Sequence, residues 1–287
     1  MRLLVIVNLH ASRAEESVGS ALGSLISNGF DLDIRATKDR DASLQSIRDG
    51  GPSVDAIVVA GGDGTLNGVL PALIEQRKPI GILPMGTAND LASTLGIPFD
   101  PVAAAGVIAA GNKRKVDIGR VNDAHFLNAA SIGLSVQIAE RQNEQQKKLF
   151  GILSYAFATI ATLSEAERFE ATIEFADRQE AVNASQIVVG NGVHFGGGMT
   201  ISPEAGIDDG LLDIYAIETA SVPDLIALAP QLRSGTLVGR DDVAYFRSGE
   251  ALIKTAKPMP INTDGEVTTE TPATFSVLRS ALEFFAP

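Results

Sequence analysis

Residues 55–65 have the sequence Asp-Ala-Ile-Val-Val-Ala-Gly-Gly-Asp-Gly-Thr, in which an apolar run ends in a glycine-rich loop. A continuous apolar run of this kind is typical of a parallel strand that is buried on both faces. Glycines at the end of the strand would expose several backbone N–H groups together, which favours a phosphate-binding loop. Asp63 would repel a bare phosphate, but a Mg²⁺ ion between the two would bind both. The alternative interpretation is a tight Gly-Asp-Gly turn that binds nothing.

The loop matches neither of two common nucleotide-binding motifs. A P-loop ends in Gly-Lys-Ser/Thr, and this chain contains no Gly-Lys pair. The dinucleotide-binding fingerprint requires a third glycine where Asn67 stands. It also requires an acidic residue about 20 positions further on, where Pro84 lies after Gly64.

The first part of the chain alternates strand-like and helix-like runs, which predicts an α/β domain with an open, mostly parallel sheet over residues 1–120. The strand-like runs are 3–7, 31–36, 55–60 and 79–83, and the helix-like runs are 15–27, 41–48 and a segment after Thr65. Pro71 lies inside the last of these segments, so we expect a helix there that is short, kinked or late to start.

The second part, residues 121–287, carries many short strand-like runs that are separated by Gly, Asp and Asn. This pattern predicts a β-rich, mainly antiparallel and sandwich-like domain. The runs are 124–131, 169–175, 184–190, 211–217, 243–246, 252–255 and 274–278, and 114–121 forms a hairpin with the first of them. Helices are expected at 145–163 and 222–232. The C-terminal segment is left free to pack back on the first domain.

A second polar loop follows the strand predicted at 79–83. Residues 83–92 read Leu-Pro-Met-Gly-Thr-Ala-Asn-Asp-Leu-Ala. Because parallel strands present their carboxyl ends at one edge of the sheet, this loop should lie beside the first one. Thr87 and Asn89 offer hydrogen bonds to a phosphate or sugar, and Asp90 offers a carboxylate. The alternative is a glycine turn before a helix that Thr87 caps.

The composition excludes several classes of function. The chain has 287 residues and a formal net charge of −12, which disfavours nucleic acid as a partner because phosphate contacts need a basic face. Cys is absent and the three His residues are far apart in sequence, so neither a Cys-ligated nor a multi-histidine metal site is expected. The longest helix-like apolar stretch is too short to span a bilayer. We expect a cytoplasmic protein that contacts membrane surfaces transiently.

The two loops together resemble those of the diacylglycerol kinase-like lipid kinase family, which includes bacterial lipid kinases and is related to sphingosine kinases. The Gly-Gly-Asp-Gly-Thr run is shared more widely, including with NAD kinases, whereas the pattern at 84–92 is more specific to lipid kinases. The resemblance extends from Asn8 to Glu266 in the family's order. Further similar segments are 116–119, 126–128, 131–133, 148–155, 196–199, 208–213 and 264–266.

The resemblance implies an ATP site between two domains, a Mg²⁺ site and a catalytic carboxylate. The residues implied for ATP are Thr37, Gly62, Asp63, Gly64, Thr65, Leu66, Asn67, Gly68 and Thr87, to which Asn89 and Asp90 are added from the second loop. Mg²⁺ would be bound by the Asp209 side chain and the carbonyls of Gly206 and Leu211; without the resemblance, 208–210 is simply a hairpin turn. Glu266 would accept the proton of the lipid hydroxyl. Asp63 is the competing candidate for this role, and Asp264 a weaker third.

These features predict an ATP- and Mg²⁺-dependent kinase that phosphorylates a hydroxyl of a lipid such as diacylglycerol. Phosphatidylglycerol or a sphingoid base is left open as the acceptor, as is a homodimeric state. One alternative is a kinase of the NAD kinase type with a soluble acceptor, and another is a nucleotide- or lipid-binding regulator without catalysis. Two departures from the family pattern concern nucleotide affinity and acceptor identity. The loop after the first predicted strand reads Asn-Leu-His-Ala-Ser at 8–12. Gly68 stands where the family often has Glu.

Overall fold

The computed structural model describes residues 1–8, 14–134, 136, 167–200, 202, 204–219 and 221–287. The helix predicted at 145–163 lies outside these residues, as does most of the loop 8–12 that follows the first strand. The chain divides into two compact units, one of Met1–Asp117 with Arg279–Pro287 and the other of Ile118–Leu278. Within the described ranges, no helix is long and apolar enough to cross a membrane.

The first unit is built on a parallel sheet. Its strands are β1 Arg2–Asn8, β2 Asp31–Thr37, β3 Ala56–Gly61 and β4 Ile80–Pro84, in the spatial order β2-β1-β3-β4. The last strand of the chain, β18 (Ala273–Phe285), ends in this unit, where Phe284 pairs with Ile80 in parallel. Every residue of β3 and β4 is buried, as their apolar sequences indicate. The predicted open, mostly parallel sheet is confirmed.

Five described helices accompany these strands, and short polar side chains set the start of two of them. The helices are α1 Ala14–Ser27, α2 Arg40–Gly50, α3 Asp63–Gln76, α4 Asp90–Thr94 and α5 Pro101–Ala110. The Asp39 carboxylate accepts the Ala42 N–H at 2.8 Å at the start of α2. At the start of α5, Asp100 accepts the Ala103 N–H at the same distance of 2.8 Å. These caps satisfy N–H groups that have no partner inside a helix.

Helix α3 corrects the prediction of a short or late helix around Pro71. It begins at Asp63, directly after the glycine loop, and continues through Pro71 to Gln76. Proline removes one hydrogen bond from the helix interior. Val69, Leu70, Ala72 and Leu73 are all buried around it, and burial of these apolar side chains offsets the loss. Tertiary packing has therefore overridden the local signal.

The second unit contains short strands that are joined by tight turns. In chain order they are β5 Lys113–Val121, which begins in the first unit, β6 Ala124–Phe126, β7 Ala129–Gly133, β8 Phe169–Glu174, β9 Gln179–Ala184, β10 Gln186–Gly190, β11 His194–Phe195, β12 Met199–Thr200, β13 Leu212–Ile217, β14 Val243–Ser248, β15 Glu250–Thr255, β16 Pro260–Thr263 and β17 Glu266–Glu270. The described helices are α6 Val222–Ala227 and α7 Ala229–Ser234.

These strands form a sandwich around one apolar core. One sheet has the order β14-β13-β10-β7-β16-β17, with antiparallel neighbours throughout. The second layer pairs β9, β8, β15 and the first residues of β18, also antiparallel. Ile132 and Ile214 of the first sheet share a buried cluster with Ile253 and Phe275 of the second layer. The predicted mainly antiparallel, sandwich-like domain is confirmed.

Two strand-like runs of the sequence are divided in the structure. The run 124–131 forms β6 and β7, with a break at Leu127 and Asn128 that moves the chain from one sheet to the other. The run that begins at Ala184 belongs to two strands, because Ser185 lies between β9 and β10 and donates its N–H to Ile217. Neither break contains a glycine or a proline.

Two further elements differ from the prediction. The helix expected at 222–232 is two short helices that meet at Leu228, with Pro230 in the first turn of α7. Proline is favoured in a first turn and disfavoured in a helix interior, which explains the division. The hairpin of β16 and β17 was missed, because Glu-Val-Thr-Thr-Glu at 266–270 lacks the apolar alternation of a half-buried strand.

We expect Asp117→Ala to lower the free energy of unfolding by about 2 kcal/mol, because a hydrogen bond from a backbone N–H to a charged carboxylate is lost. Asp117 is only 3% exposed, and its carboxylate accepts the Ser280 N–H at 2.6 Å. Ser280 has a φ of 49°, which places it in the left-handed region where a serine needs support. Chemical denaturation measures the effect. The exposed Asp123, changed to Ala, is the control and should alter the value by no more than about 0.5 kcal/mol. Equal values for the two variants would contradict the expectation.

Candidate functional site

The two glycine-rich loops lie against each other in the first unit. Because β3 and β4 are neighbouring parallel strands, the loops that follow them leave the same edge of the sheet. A Cβ atom on Gly62 would lie 2.7 Å from the Gly86 Cα, and one on Gly86 would lie 2.6 Å from the Gly62 Cα. No side chain fits into a contact this close. The fold itself therefore requires glycine at both positions.

Asp63 joins the first loop to the second. It is the first residue of α3, and its Oδ1 accepts the Leu91 N–H at 3.2 Å. Leu91 lies in the first turn of α4, where N–H groups have no partner inside the helix. The bond holds the Asp63 carboxylate between the N-termini of α3 and α4. A carboxylate in this position is placed beside any anion that binds to the first turn of either helix.

Asn89, rather than Thr87, shapes the second loop. Its φ of 55° is left-handed, and it occupies the N-cap position of α4. The Asn89 Oδ1 accepts the Gly86 N–H at 2.9 Å, and its Nδ2 donates to the Gly86 carbonyl at 3.0 Å. Asparagine tolerates this backbone conformation better than most residues. The suggestion that Thr87 caps the helix is therefore wrong; Thr87 is exposed and Asp90 is buried.

Gly64 differs from the other loop glycines. A Cβ atom on Gly61 would lie 2.6 Å from the Thr65 Cβ, so packing within the protein explains that glycine. A Cβ atom on Gly64 would meet nothing within 4 Å, and Gly64 is exposed with no left-handed φ. Nothing that the structure describes demands glycine here. Open space beside the N-terminus of α3 is what a ligand that approaches the backbone would need.

Of the other residues predicted for ATP, one is partly exposed and four are buried. Thr65 is partly exposed, and its Oγ1 accepts a hydrogen bond from the Asn8 Nδ2 at 2.8 Å. Leu66, Asn67 and Gly68 are buried in α3. The Thr37 hydroxyl is buried and lies 2.7 Å from the Ser43 hydroxyl. At Gly68 the carbonyl accepts the Arg40 Nε–H at 3.2 Å.

In the second unit, Asp209 lies in the turn between Gly206 and Leu211. Its Oδ2 accepts the Gly206 N–H at 3.1 Å, and its Oδ1 accepts the Leu211 N–H at 2.9 Å. Arg247 donates to the Asp209 Oδ2 at 2.6 Å. The structure thus brings together the three residues predicted for Mg²⁺. The contacts of Gly206 and Leu211 with Asp209 are made by their N–H groups, whereas the prediction concerned their carbonyls.

A carboxylate with backbone carbonyls, the donor set that the resemblance implies, consists of the hard oxygen ligands that Mg²⁺ prefers. The Asp209 Oδ1 accepts only the Leu211 N–H among the described contacts, so it retains a lone pair for a cation. Asp209 therefore fits a cation. Arg247 would share the carboxylate with it. Among the residues that the structure describes, no group of three or more His, Cys, Asp and Glu side chains is arranged to hold a metal ion.

A buried acid beside Asp209 was missed by sequence analysis. Asp213 is 1% exposed, accepts the hydroxyl of Tyr245, and lies 3.2 Å from the Arg247 Nε. Burial raises the pKa of Asp213, against the opposite effects of Tyr245 and Arg247. Burial also raises the pKa of Tyr245, to about 12. The one signal was a charged residue within the apolar run 211–217.

Glu266 lies at the start of β17 and is exposed. The nearby Asp264 has a different environment, because its carboxylate accepts the N–H groups of Leu127, Asn128 and Ala129. Three donors occupy the Asp264 carboxylate, which disfavours it as a proton acceptor. The two acids of this turn are therefore not equivalent, a distinction that the sequence does not make.

The chain matches two families along most of its length. Residues 2–121 match the diacylglycerol kinase catalytic domain, and residues 128–286 match the YegS C-terminal NAD kinase beta sandwich-like domain. A diacylglycerol kinase of Staphylococcus epidermidis is 30% identical over 270 residues, which are 93% of this chain and 85% of that protein. A Pseudomonas putida protein named "Probable lipid kinase YegS-like" is 31% identical over 283 residues, which are 97% of this chain and 94% of that protein.

Solved structures agree with these matches. A crystal structure of a diacylglycerol kinase from Bacillus anthracis superposes with a TM-score of 0.85 at 27% sequence identity, covering 100% of this chain and 97% of that one. The family resemblance that was inferred from the two loops and the later motifs is confirmed.

We expect Gly64→Ala and Gly62→Ala to change stability in opposite directions. Alanine at 64 meets open space at the start of a helix, so the free energy of unfolding should rise by about 0.5–1 kcal/mol. Alanine at 62 meets the Gly86 backbone, so it should lower that free energy by about 2 kcal/mol or more. Urea denaturation of the two variants measures both effects. A loss of stability at 64 would mean that the protein itself needs this glycine.

Proposed function

The chain belongs to the diacylglycerol kinase-like family of lipid kinases, and we propose that it transfers the γ-phosphoryl group of ATP to a hydroxyl group of a lipid. It is a kinase whose acceptor is an alcohol group. The observation that carries the proposal is the open space at Gly64 in the first turn of α3, two residues after the Gly62 that contacts the Gly86 backbone. Space at a helix N-terminus, next to a fixed carboxylate, suits the phosphates of a nucleotide and their counter-ion.

We propose that the phosphates of ATP bind at the N-terminus of α3. The backbone of the loop from Gly62 to Thr65 would supply N–H donors, and the exposed Thr87 of the second loop would supply a hydroxyl. Any side chain at 64 would take the space of the ligand. Thr37 would contribute from the end of β2, and Asn89 and Asp90 through the shape of the second loop. When bound, Mg²⁺ would neutralise charge on the triphosphate and so favour attack by an alcohol.

Within this scheme Asp63 holds a negative charge beside the phosphates and Glu266 receives the proton of the acceptor hydroxyl. The Leu91 N–H fixes the Asp63 carboxylate at 3.2 Å and leaves acceptor sites for a cation or its waters. The exposed position of Glu266 leaves its carboxylate accessible to an acceptor. General-base catalysis of this kind contributes about 10²–10⁴-fold in rate. Asp63 is the alternative base.

A second cation would bind at Asp209, with the carbonyls of Gly206 and Leu211. Arg247 already donates to the Asp209 carboxylate at 2.6 Å, so a cation here would share this carboxylate with the guanidinium. We propose a role in supporting the loop 206–211 for this site, without a part in the transfer step. Loss of its carboxylate would then weaken the protein's response to Mg²⁺ more than the chemical step itself.

The acceptor is proposed to be a lipid because relatives over nearly the whole chain are named diacylglycerol kinase and lipid kinase. Diacylglycerol is the first acceptor to test, followed by phosphatidylglycerol and a sphingoid base. Since such acceptors reside in membranes, we propose that the enzyme contacts a membrane surface during turnover. A net charge of −12 disfavours a long-lived attachment to an anionic surface.

We expect a labelled phospholipid when the protein is incubated with γ-labelled ATP, Mg²⁺ and a total lipid extract, and no labelled product when NAD⁺ replaces the lipid. Chromatography and mass spectrometry identify the product. Asp63→Asn should lower kcat by at least about 10²-fold in the folded protein, because the charge that the phosphates and their cation require is lost. Gly64→Ala should bind ATP more weakly. Labelling of NAD⁺ alone would assign the soluble-acceptor alternative, and ATP binding without transfer to any acceptor would assign a regulator.

We expect Glu266→Gln to lower kcat by about 10²–10⁴-fold and to leave the affinity for ATP unchanged, because a general base acts in the transition state. Steady-state kinetics with the identified lipid, together with calorimetric titration of ATP, separates the two effects. Glu270→Gln on the same exposed strand is the matched control and should behave as the unchanged protein. Unimpaired kcat in Glu266→Gln would transfer the role of base to Asp63.

A further inference from the structure

Glu266 lies on a strand that packing does little to hold. β17 is at the edge of its sheet, paired only with β16 along the sheet order. Four of its five residues are exposed and the fifth is half-buried. Edge strands with few buried contacts open easily in local fluctuations. A carboxylate that takes part in catalysis must nevertheless stay within about 0.5 Å of its working position.

The turn before Glu266 is the element that can fix it. Thr263 is paired with Glu266, so the hairpin closes over the two residues Asp264 and Gly265. Their φ values of 48° and 101° are both left-handed, as a tight hairpin turn requires. The Gly265 N–H donates to the Asn262 Oδ1 at 2.8 Å. These bonds define the shape of the turn, but they lie within the hairpin and do not attach it to the rest of the unit.

Pairing of β16 with β7 holds one strand of the hairpin, and the Asp264 carboxylate attaches the turn itself. Its Oδ2 accepts the Leu127 N–H at 2.6 Å, and its Oδ1 accepts the N–H groups of Asn128 and Ala129, each at 3.0 Å. The Asp264 N–H donates in return to the Ala129 carbonyl at 3.0 Å. The three donors are consecutive residues: Leu127 and Asn128 lie at the break between β6 and β7, and Ala129 is the first residue of β7.

The backbone that donates these three N–H groups is itself firmly held. The Asn191 N–H donates to the Asn128 carbonyl at 2.8 Å, and the Asn191 Nδ2 donates to the Leu127 carbonyl at 2.9 Å. Leu127, Asn128 and Asn191 are all buried. The three N–H groups are therefore presented by a fixed stretch of backbone. A charged acceptor that meets them makes hydrogen bonds of the stronger, charge-assisted class.

We propose that Asp264 is a positioning residue that fixes Glu266 for proton transfer, by anchoring the β16–β17 turn to the backbone of Leu127, Asn128 and Ala129. The inference rests on the proposed role of Glu266 as the base. Asp264 does not contact the acceptor in this scheme, and it acts only through the placement of the carboxylate two residues further on.

Asparagine at 264 separates this role from the backbone requirement of the turn. It tolerates a left-handed φ as aspartate does, so the hairpin can still close. Its single carbonyl oxygen cannot replace two charged oxygens that accept three N–H groups, and its own NH₂ group would face one of these donors. The variant therefore loosens the anchor and preserves the turn.

The experiment is a double-mutant cycle of Asp264→Asn and Glu266→Gln, with kcat and the KM for ATP measured for each protein. Alone, Asp264→Asn should lower kcat by about 10- to 100-fold with an unchanged KM for ATP, the size of effect expected from a misplaced catalytic group. In the Glu266→Gln background it should cause no further loss, because a positioning residue has nothing left to position. Asp123→Asn is the matched control, since it makes the same change in the exposed turn between β5 and β6.

Hydrogen exchange gives a readout that does not depend on activity. Amides at 127–129 and in the hairpin 260–270 should exchange faster in Asp264→Asn and unchanged in Asp123→Asn. Unchanged exchange in Asp264→Asn, or an equal loss of kcat with and without Glu266, would overturn the inference. Full activity in Glu266→Gln would instead refute the proposed base. In that case accelerated exchange would confirm the anchor and remove its catalytic purpose.

Discussion

The contact between the Gly62 and Gly86 backbones is the constraint on which the site of the first unit depends. Neighbouring strands lie about 4.8 Å apart, so loops that leave the same edge either diverge or touch through their backbones. Here they touch, at a separation that excludes any Cβ atom. The contact places the N-termini of α3 and α4 side by side, and this allows Asp63, at the start of one helix, to accept an N–H of the other. Without the two glycines the carboxylate would have no fixed position.

In the second unit, the buried Asp213 lowers stability but holds a neighbouring side chain in position. Burial raises the pKa of Asp213 although Tyr245 and Arg247 favour its charged form. A raised carboxyl pKa gives stabilisation that is present below the pKa of the unfolded chain and is lost as the pH rises through the folded value. At neutral pH the charge of Asp213 therefore costs folding free energy. Its effect is to hold Arg247, which contacts Asp213 and Asp209 together, so the cost supports the arrangement around Asp209.

The parts of the fold that could be predicted from the sequence are those that local patterns determine. The apolar runs of β1, β3 and β4 specify buried parallel strands, and glycine-rich loops after two of them specify a shared edge. The sequence cannot distinguish Gly62 from Gly64, because the reason for the first is a backbone that lies 24 residues away. The break between β6 and β7 depends on Asp264, more than 130 residues further along the chain. Such features are tertiary, and no local pattern encodes them.

The number of N–H groups that each carboxylate accepts separates acids that look alike in the sequence. Asp264 accepts three, and a carboxylate so occupied anchors the backbone and has little capacity left for a proton or a cation. Asp209 accepts two and a guanidinium, which leaves room for one shared cation. Asp63 accepts one among the described contacts, enough to fix its direction while most of its lone pairs remain for a ligand. Glu266 lies exposed on an edge strand, two residues after the anchored Asp264. A carboxylate that accepts several backbone N–H groups anchors the chain, whereas one that accepts few keeps its oxygens available for a ligand.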